Sequence, residues 1–96
     1  MTITNKNDAN KAAVLERLSA VRAALKNEPE SPAVARALEQ CDRLELAINQ
    51  FHAEGLRFAA FTLFRMVFGH GTGFTEPVHI TTQNLKTALD LAGYPH

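Results

Sequence analysis

The sequence predicts an all-α fold: a helical hairpin, a buried third helix and a short C-terminal helix in a small four-helix arrangement. In the first half of the chain, apolar residues recur every three or four positions, which is typical of amphipathic helices. The run from Leu56 to Phe68 is apolar on nearly every side of a helix, as in a buried one. Because the chain has 96 residues, we expect a single domain over residues 1–96, with 1–7 as a flexible lead-in.

Two segments on either side of a proline-containing connection form the predicted hairpin. The first helix is expected from about Asp8 to Asn27, along one narrow apolar stripe. Pro29 disfavours helical geometry in the residue before it and therefore ends this helix. Ser31 is a suitable cap for the second helix, and Pro32 takes its first position, where a missing N–H costs nothing. The short connection predicts that the two helices pack antiparallel.

The second helix is expected from about Pro32 to Ala53. Cys41 lies on its apolar stripe and is expected to be a buried, inert thiol, since reactive cysteines need exposure. Gly55 then either ends this helix in a left-handed conformation or lies in a kink of a longer one. We favour a break, because one helix from Pro32 to Phe68 would span about 55 Å. A continuous helix would instead favour an intertwined dimer.

The third helix, residues 56–68, has two apolar faces. One is an aliphatic stripe of Leu56, Ala60, Leu63 and Val67. The other is an aromatic stripe of Phe61, Phe64 and Phe68. The first face can pack on the hairpin, and the second needs a cover from the last helix, from residues 74–80 or from a second subunit. The last helix offers mostly small side chains, so we expect the aromatic stripe to form an interface.

A glycine-rich loop, Gly69–Gly73, follows the third helix. Residues 74–80 contain Pro77 and alternate weakly, which favours a short extended segment. Thr81 or Thr82 is then the expected cap of the last helix. Gly93 is expected to end that helix.

The glycine loop is also a candidate ligand loop, with His70, Thr72 and His79 as possible contacts. Phosphate loops normally lead into a helix N-terminus, whereas this loop leaves a helix C-terminus, whose partial negative charge repels anions. A plain connection is therefore favoured. The histidine spacing matches no established zinc pattern, so we expect no metal and no cofactor.

Charge argues against a nucleic-acid partner. Ten Lys and Arg balance ten Asp and Glu, whereas nucleic-acid-binding domains usually carry a basic excess. A recognition helix at the C-terminus stays an alternative, but its outward residues would make a poor DNA-reading face. These residues are Asn84, Lys86, Thr87 and Asp90.

The sequence therefore predicts a non-enzymatic interaction or regulatory protein that acts through an apolar helical surface, as a homodimer or with a protein partner. The predicted interface holds Phe61, Phe64 and Phe68, with Arg57 and Arg65 as charges that can pair with carboxylates. No acid–base pair can be located, so we expect no enzyme. The polar start lacks the apolar core of a signal peptide, which predicts a cytoplasmic protein without a membrane segment.

Overall fold

The computed structural model describes residues 6–69 and 73–94, and these residues are all-helical without a strand. Four helices follow one another along the chain: α1 (Lys6–Lys26), α2 (Pro32–Gln50), α3 (Ala53–Phe68) and α4 (Glu76–Ala92). The predicted all-α fold of four helices is confirmed. Ser31 and Pro32 begin α2 as expected. Pro32 lies in the first turn, and the Ser31 hydroxyl caps the helix by accepting a hydrogen bond from the Val34 N–H at 3.1 Å.

The helices form an elongated bundle measuring 48 × 23 × 18 Å. α1 packs antiparallel on α2, since Lys11 near one end lies over the Phe51 ring and Arg22 near the other end reaches Asp42. The closest packing joins α1 to α4 and α2 to α3, and α3 touches α4 only sparsely. Each helix therefore has two neighbours, in the circular order α1, α2, α3, α4, and the contact between α3 and α4 is the weakest.

The core is mainly aliphatic and receives side chains from all four helices. The predicted aliphatic stripe of α3 is buried throughout, as the sequence indicated. It consists of Leu56, Ala60, Leu63 and Val67. Cys41 is also buried, as expected, and burial raises the pKa of its thiol to about 12.

Arg22 of α1 forms ion pairs and a hydrogen bond with α2 at the edge of this core. Its guanidinium lies 2.5 Å from a Glu45 carboxylate oxygen and 3.1 Å from one of Asp42, and it donates to the Cys41 carbonyl at 3.3 Å. Partial burial alone would lower the pKa of Arg22, but the hydrogen bonds and charges of the two carboxylates raise it overall. The group therefore stays charged and satisfied where α1 meets α2.

A break between α2 and α3 exists as predicted, but the expected role of Gly55 was wrong. α2 ends at Gln50, and Phe51 takes the left-handed conformation at φ 51°. Gly55 lies in the first turn of α3 and donates its N–H to His52 Nδ1, at 2.9 Å. A Cβ on Gly55 would lie only 2.6 Å from that nitrogen. Glycine is needed here for the close approach of the cap, not to end a helix.

The expected extended segment at 74–80 and the cap at Thr81 or Thr82 were also wrong. α4 already begins at Glu76, and Pro77 is accommodated in its first turn, where its missing N–H is harmless. Thr75 precedes the helix and donates its N–H and hydroxyl to the Glu28 carboxylate, at 2.6 and 3.0 Å. The carboxylate of Glu28 thus fixes the start of α4 against the end of α1 and lies favourably at a helix N-terminus.

Thr82 offers a stability prediction. Its side chain is fully buried, and its hydroxyl has no hydrogen-bond partner among the described residues. Thr82→Val keeps the shape and removes an unsatisfied polar group, so we expect stabilisation of about 1 kcal/mol in urea unfolding. Thr81→Val is the matched control, because the Thr81 hydroxyl donates to the Pro77 carbonyl at 2.8 Å. An equal gain in both variants would contradict the assignment.

Candidate interaction surface on the third helix

The structure divides the predicted aromatic stripe between the core and the surface. Phe64 is buried, with 8% of its surface exposed. Phe61 and Phe68 are 55% and 40% exposed, and Phe58, which belongs to neither predicted stripe, is 65% exposed. Several bulky aromatic side chains on one helix therefore face away from the core. Single exposed apolar residues are ordinary, but a cluster of them indicates a binding surface.

The stripe is exposed because α4 turns a polar side toward α3. The His79 ring lies beside Phe68, with centroids 6.1 Å apart, and Lys86 lies further along the same side of α4. Helical spacing puts Gln83 and Asp90 on that side as well. No large apolar side chain of α4 is therefore available to cover the phenylalanines.

Between the two helices lies an open groove of about 470 Å³. Its apolar lining comes from the aromatic stripe, and its polar lining comes from one cation on each helix. The lining residues are Phe61, Phe64, Arg65, Phe68, Gly69 and Lys86. We call this the α3–α4 groove.

A second, smaller depression of about 380 Å³ lies on the outward side of α3. Its four lining residues are all exposed and combine two rings with one acid and one base. They are Glu54, Arg57, Phe58 and Phe61. We call this the outer patch; it meets the α3–α4 groove at Phe61.

The two predicted arginines are both exposed, one on each surface. Arg57 belongs to the outer patch and Arg65 to the α3–α4 groove. Neither has an ion-pair partner within residues 6–69 and 73–94, where the ion pairs join Arg22 to Asp42 and Glu45, and Arg43 to Glu39. Both guanidinium groups are therefore available to carboxylates from outside the chain.

Of the three residues predicted for a ligand loop, the described part of the chain includes one, His79. His70 and Thr72 lie outside the described residues. His79 is half-buried on α4 beside Phe68. In the described part of the chain, no three His, Cys, Asp or Glu side chains are placed to hold a metal ion. None of the helices there has the length and apolar character to cross a membrane.

The face predicted for nucleic-acid recognition is split between two sides of α4. Asn84 and Thr87 line a crevice against α1, together with Arg17. Lys86 points instead into the α3–α4 groove, and helical spacing places Asp90 on the same side as Lys86. The four residues include one base, one acid and two uncharged side chains, which is a poor set for contacts with phosphates and base edges.

The fold and these surfaces define a small all-α protein, a four-helix bundle with one loosely packed, aromatic seam. Comparisons with known protein families, with curated proteins and with solved structures found no match for this chain. What the protein does must therefore be inferred from the groove and the outer patch themselves.

Proposed function

We propose that this is a non-enzymatic interaction or regulatory protein, and that it pairs with a second copy of itself through the outer patch. The observation that carries the proposal is the exposure of Phe58 and Phe61, each more than half exposed, beside each other on α3. Aromatic side chains contribute strongly to interfaces because they bury a large area at a small entropic cost. A second copy would remove both rings from water.

The charges of the outer patch favour a copy of the same chain as the partner. A twofold axis that passes α3 midway between Glu54 and Arg57 sets two copies of the helix antiparallel, so that Glu54 of each faces Arg57 of the other. Within the described residues, neither side chain has an ion pair of its own. Formal net charge is zero, so no long-range repulsion opposes the pairing. The charges of the outer patch are thus complementary to those of a second copy.

Sedimentation velocity between about 1 and 100 µM tests the pairing. The wild-type chain is expected to dimerise, and Phe58→Asp to weaken the dimer by roughly 100-fold, since a central aromatic contact is replaced by a charge. Leu91→Asp is the control, because Leu91 is 80% exposed on α4 and belongs to neither surface. A wild-type chain that is monomeric at 100 µM would rule the proposal out.

A charge swap then tests the antiparallel arrangement. Glu54→Arg alone sets like charges against each other twice and should weaken the dimer, and so should Arg57→Glu alone. The double variant restores opposite charges and is expected to recover most of the affinity. If the losses of dimerisation free energy in the two single variants simply add in the double variant, the twofold arrangement is wrong.

A further inference from the structure

We infer that the α3–α4 groove is a second binding surface, which accepts an acidic amphipathic helix from a partner protein. It is a different surface from the outer patch, although both include Phe61. Pairing of two copies is not required for it. The inference depends on the shape of the groove, on the aromatic rings in it and on the sign of the charges at its edges.

The groove has an aromatic floor with the length of two helical turns. Phe64 lies deepest, and its ring centroid is 6.1 Å from that of Phe68. From Phe61 to Phe68 the floor extends seven residues along α3, about 10 Å. Apolar side chains at i, i+4 and i+7 of a docked helix cover the same distance. The rings therefore match the stripe of an amphipathic helix.

The side chains that line the groove carry only positive charge, and the Asp90 carboxylate follows one helical turn beyond Lys86, outside this lining. Arg65 on α3 and Lys86 on α4 line it, and no carboxylate does so among the residues described. Neither cation has an ion-pair partner in that part of the chain. A bound helix with acidic residues on both sides of its apolar stripe would place carboxylates next to both. Charge complementarity thus selects an acidic partner over a basic one.

The architecture favours a helix over other macromolecular partners. An extended peptide gains affinity by adding to a sheet edge, and the described residues contain no strand. A membrane presents a flat surface, whereas these two cations stand on opposite helices with the apolar floor between them. The sparse α3–α4 contacts leave this seam open, while α4 stays attached through its packing on α1.

Fluorescence anisotropy with a designed peptide tests the inference. The probe is a fluorescein-labelled helix of roughly four turns, with leucines at three- and four-residue spacing and glutamates on either side. A second peptide has lysine in place of every glutamate. We expect the acidic peptide to bind at least 10-fold more tightly than the basic one, with affinity falling as salt rises.

Reversal of the two cations sharpens the test. Arg65→Glu combined with Lys86→Glu is expected to weaken the acidic peptide at least 10-fold and to strengthen the basic one. Lys26→Glu combined with Arg36→Glu is the matched control, with the same change of net charge at two exposed sites outside the groove. Phe68→Ala should weaken the acidic peptide without changing the preference for its charge.

Three outcomes would overturn the inference. They are no binding of the acidic peptide to any form of the chain, equal effects of the groove and control reversals, and binding of phosphatidylserine vesicles without binding of the peptide. Repeating the titration with Phe58→Asp separates this site from the proposed dimer, because that variant alters the outer patch and leaves the groove residues in place. Failure of either experiment leaves the other interpretable.

Discussion

Phe64→Asp is expected to lose most of its folded structure at 25 °C, whereas Phe61→Asp, one turn earlier on α3, keeps it. Phe64 is 8% exposed and packs in the core, while Phe61 is 55% exposed. Removing a buried phenylalanine ring costs about 3–5 kcal/mol, and an unpaired buried carboxylate adds several more. A chain of this size has a total stability of about 5–15 kcal/mol. The same substitution at Phe61 should cost less than about 1 kcal/mol.

Far-UV circular dichroism during urea unfolding measures both variants against the wild-type chain. Because Phe64 supports the fold, a loss of binding in Phe64→Asp would report unfolding and not the loss of a contact with a partner. Substitutions at Phe58, Phe61 and Phe68 avoid this problem. Equal stability of the two aspartate variants would mean that α3 is rotated relative to the arrangement described here.

The helices were predictable because their evidence is periodic and local. The aliphatic stripe of α3 repeats over three turns, and a stripe of that length gives the same answer wherever the neighbouring helices lie. The proline connection before α2 was equally informative, since Ser31 and Pro32 act through the backbone of their own helix. These features depend on residues only a few positions apart.

The helix ends were harder to predict where unusual residues or distant contacts decide them. Phe51 takes a left-handed conformation that usually favours glycine, so Gly55 was the more plausible helix terminator from sequence alone. The start of α4 depends on the hydrogen bonds between Thr75 and Glu28, which are 47 residues apart. Pro77 is compatible with both an extended segment and a first helical turn, so the local pattern could not decide.

The candidate site was predictable as a helix face but not residue by residue. The spacing of Phe61, Phe64 and Phe68 puts them on one side of α3, which the structure confirms. How deeply each ring is buried depends on where α4 lies and which side it turns inward, and the sequence of α3 contains neither fact. Phe58 is exposed because none of the four described helices packs over the outward side of α3.

The folded chain is expected to lose stability steeply above pH 9 because of Cys41. Burial raises the pKa of this thiol from 9.0 to about 12; the Arg22 charge opposes the rise, and the Asp42 charge adds to it. In the unfolded chain the thiol ionises above pH 9, whereas in the folded chain it stays neutral. The stability that the buried, neutral thiol contributes is therefore fully present below pH 9. It is lost between pH 9 and 12, at about 1.4 kcal/mol per pH unit.

Cys41→Ala isolates this effect, because every other titratable group is common to both proteins. At pH 8 the variant should be less stable by about 1–2 kcal/mol, owing to the lost sulfur contacts. At pH 11 the wild-type chain has lost about 3 kcal/mol through its thiol, so the order of stability is expected to reverse. Urea unfolding at pH 8, 10 and 11 under reducing conditions measures the difference.

A difference between the two proteins that stays constant from pH 8 to 11 would contradict the burial of Cys41. The thiol would then ionise equally easily in the folded and unfolded chains, which requires water to reach the middle of α2. Because Arg22 donates to the Cys41 carbonyl and pairs with Asp42 and Glu45, such access would also mean that α1 and α2 separate at this point. Unfolding at alkaline pH therefore tests whether α1 and α2 stay packed together, and α3 with its exposed rings packs on α2.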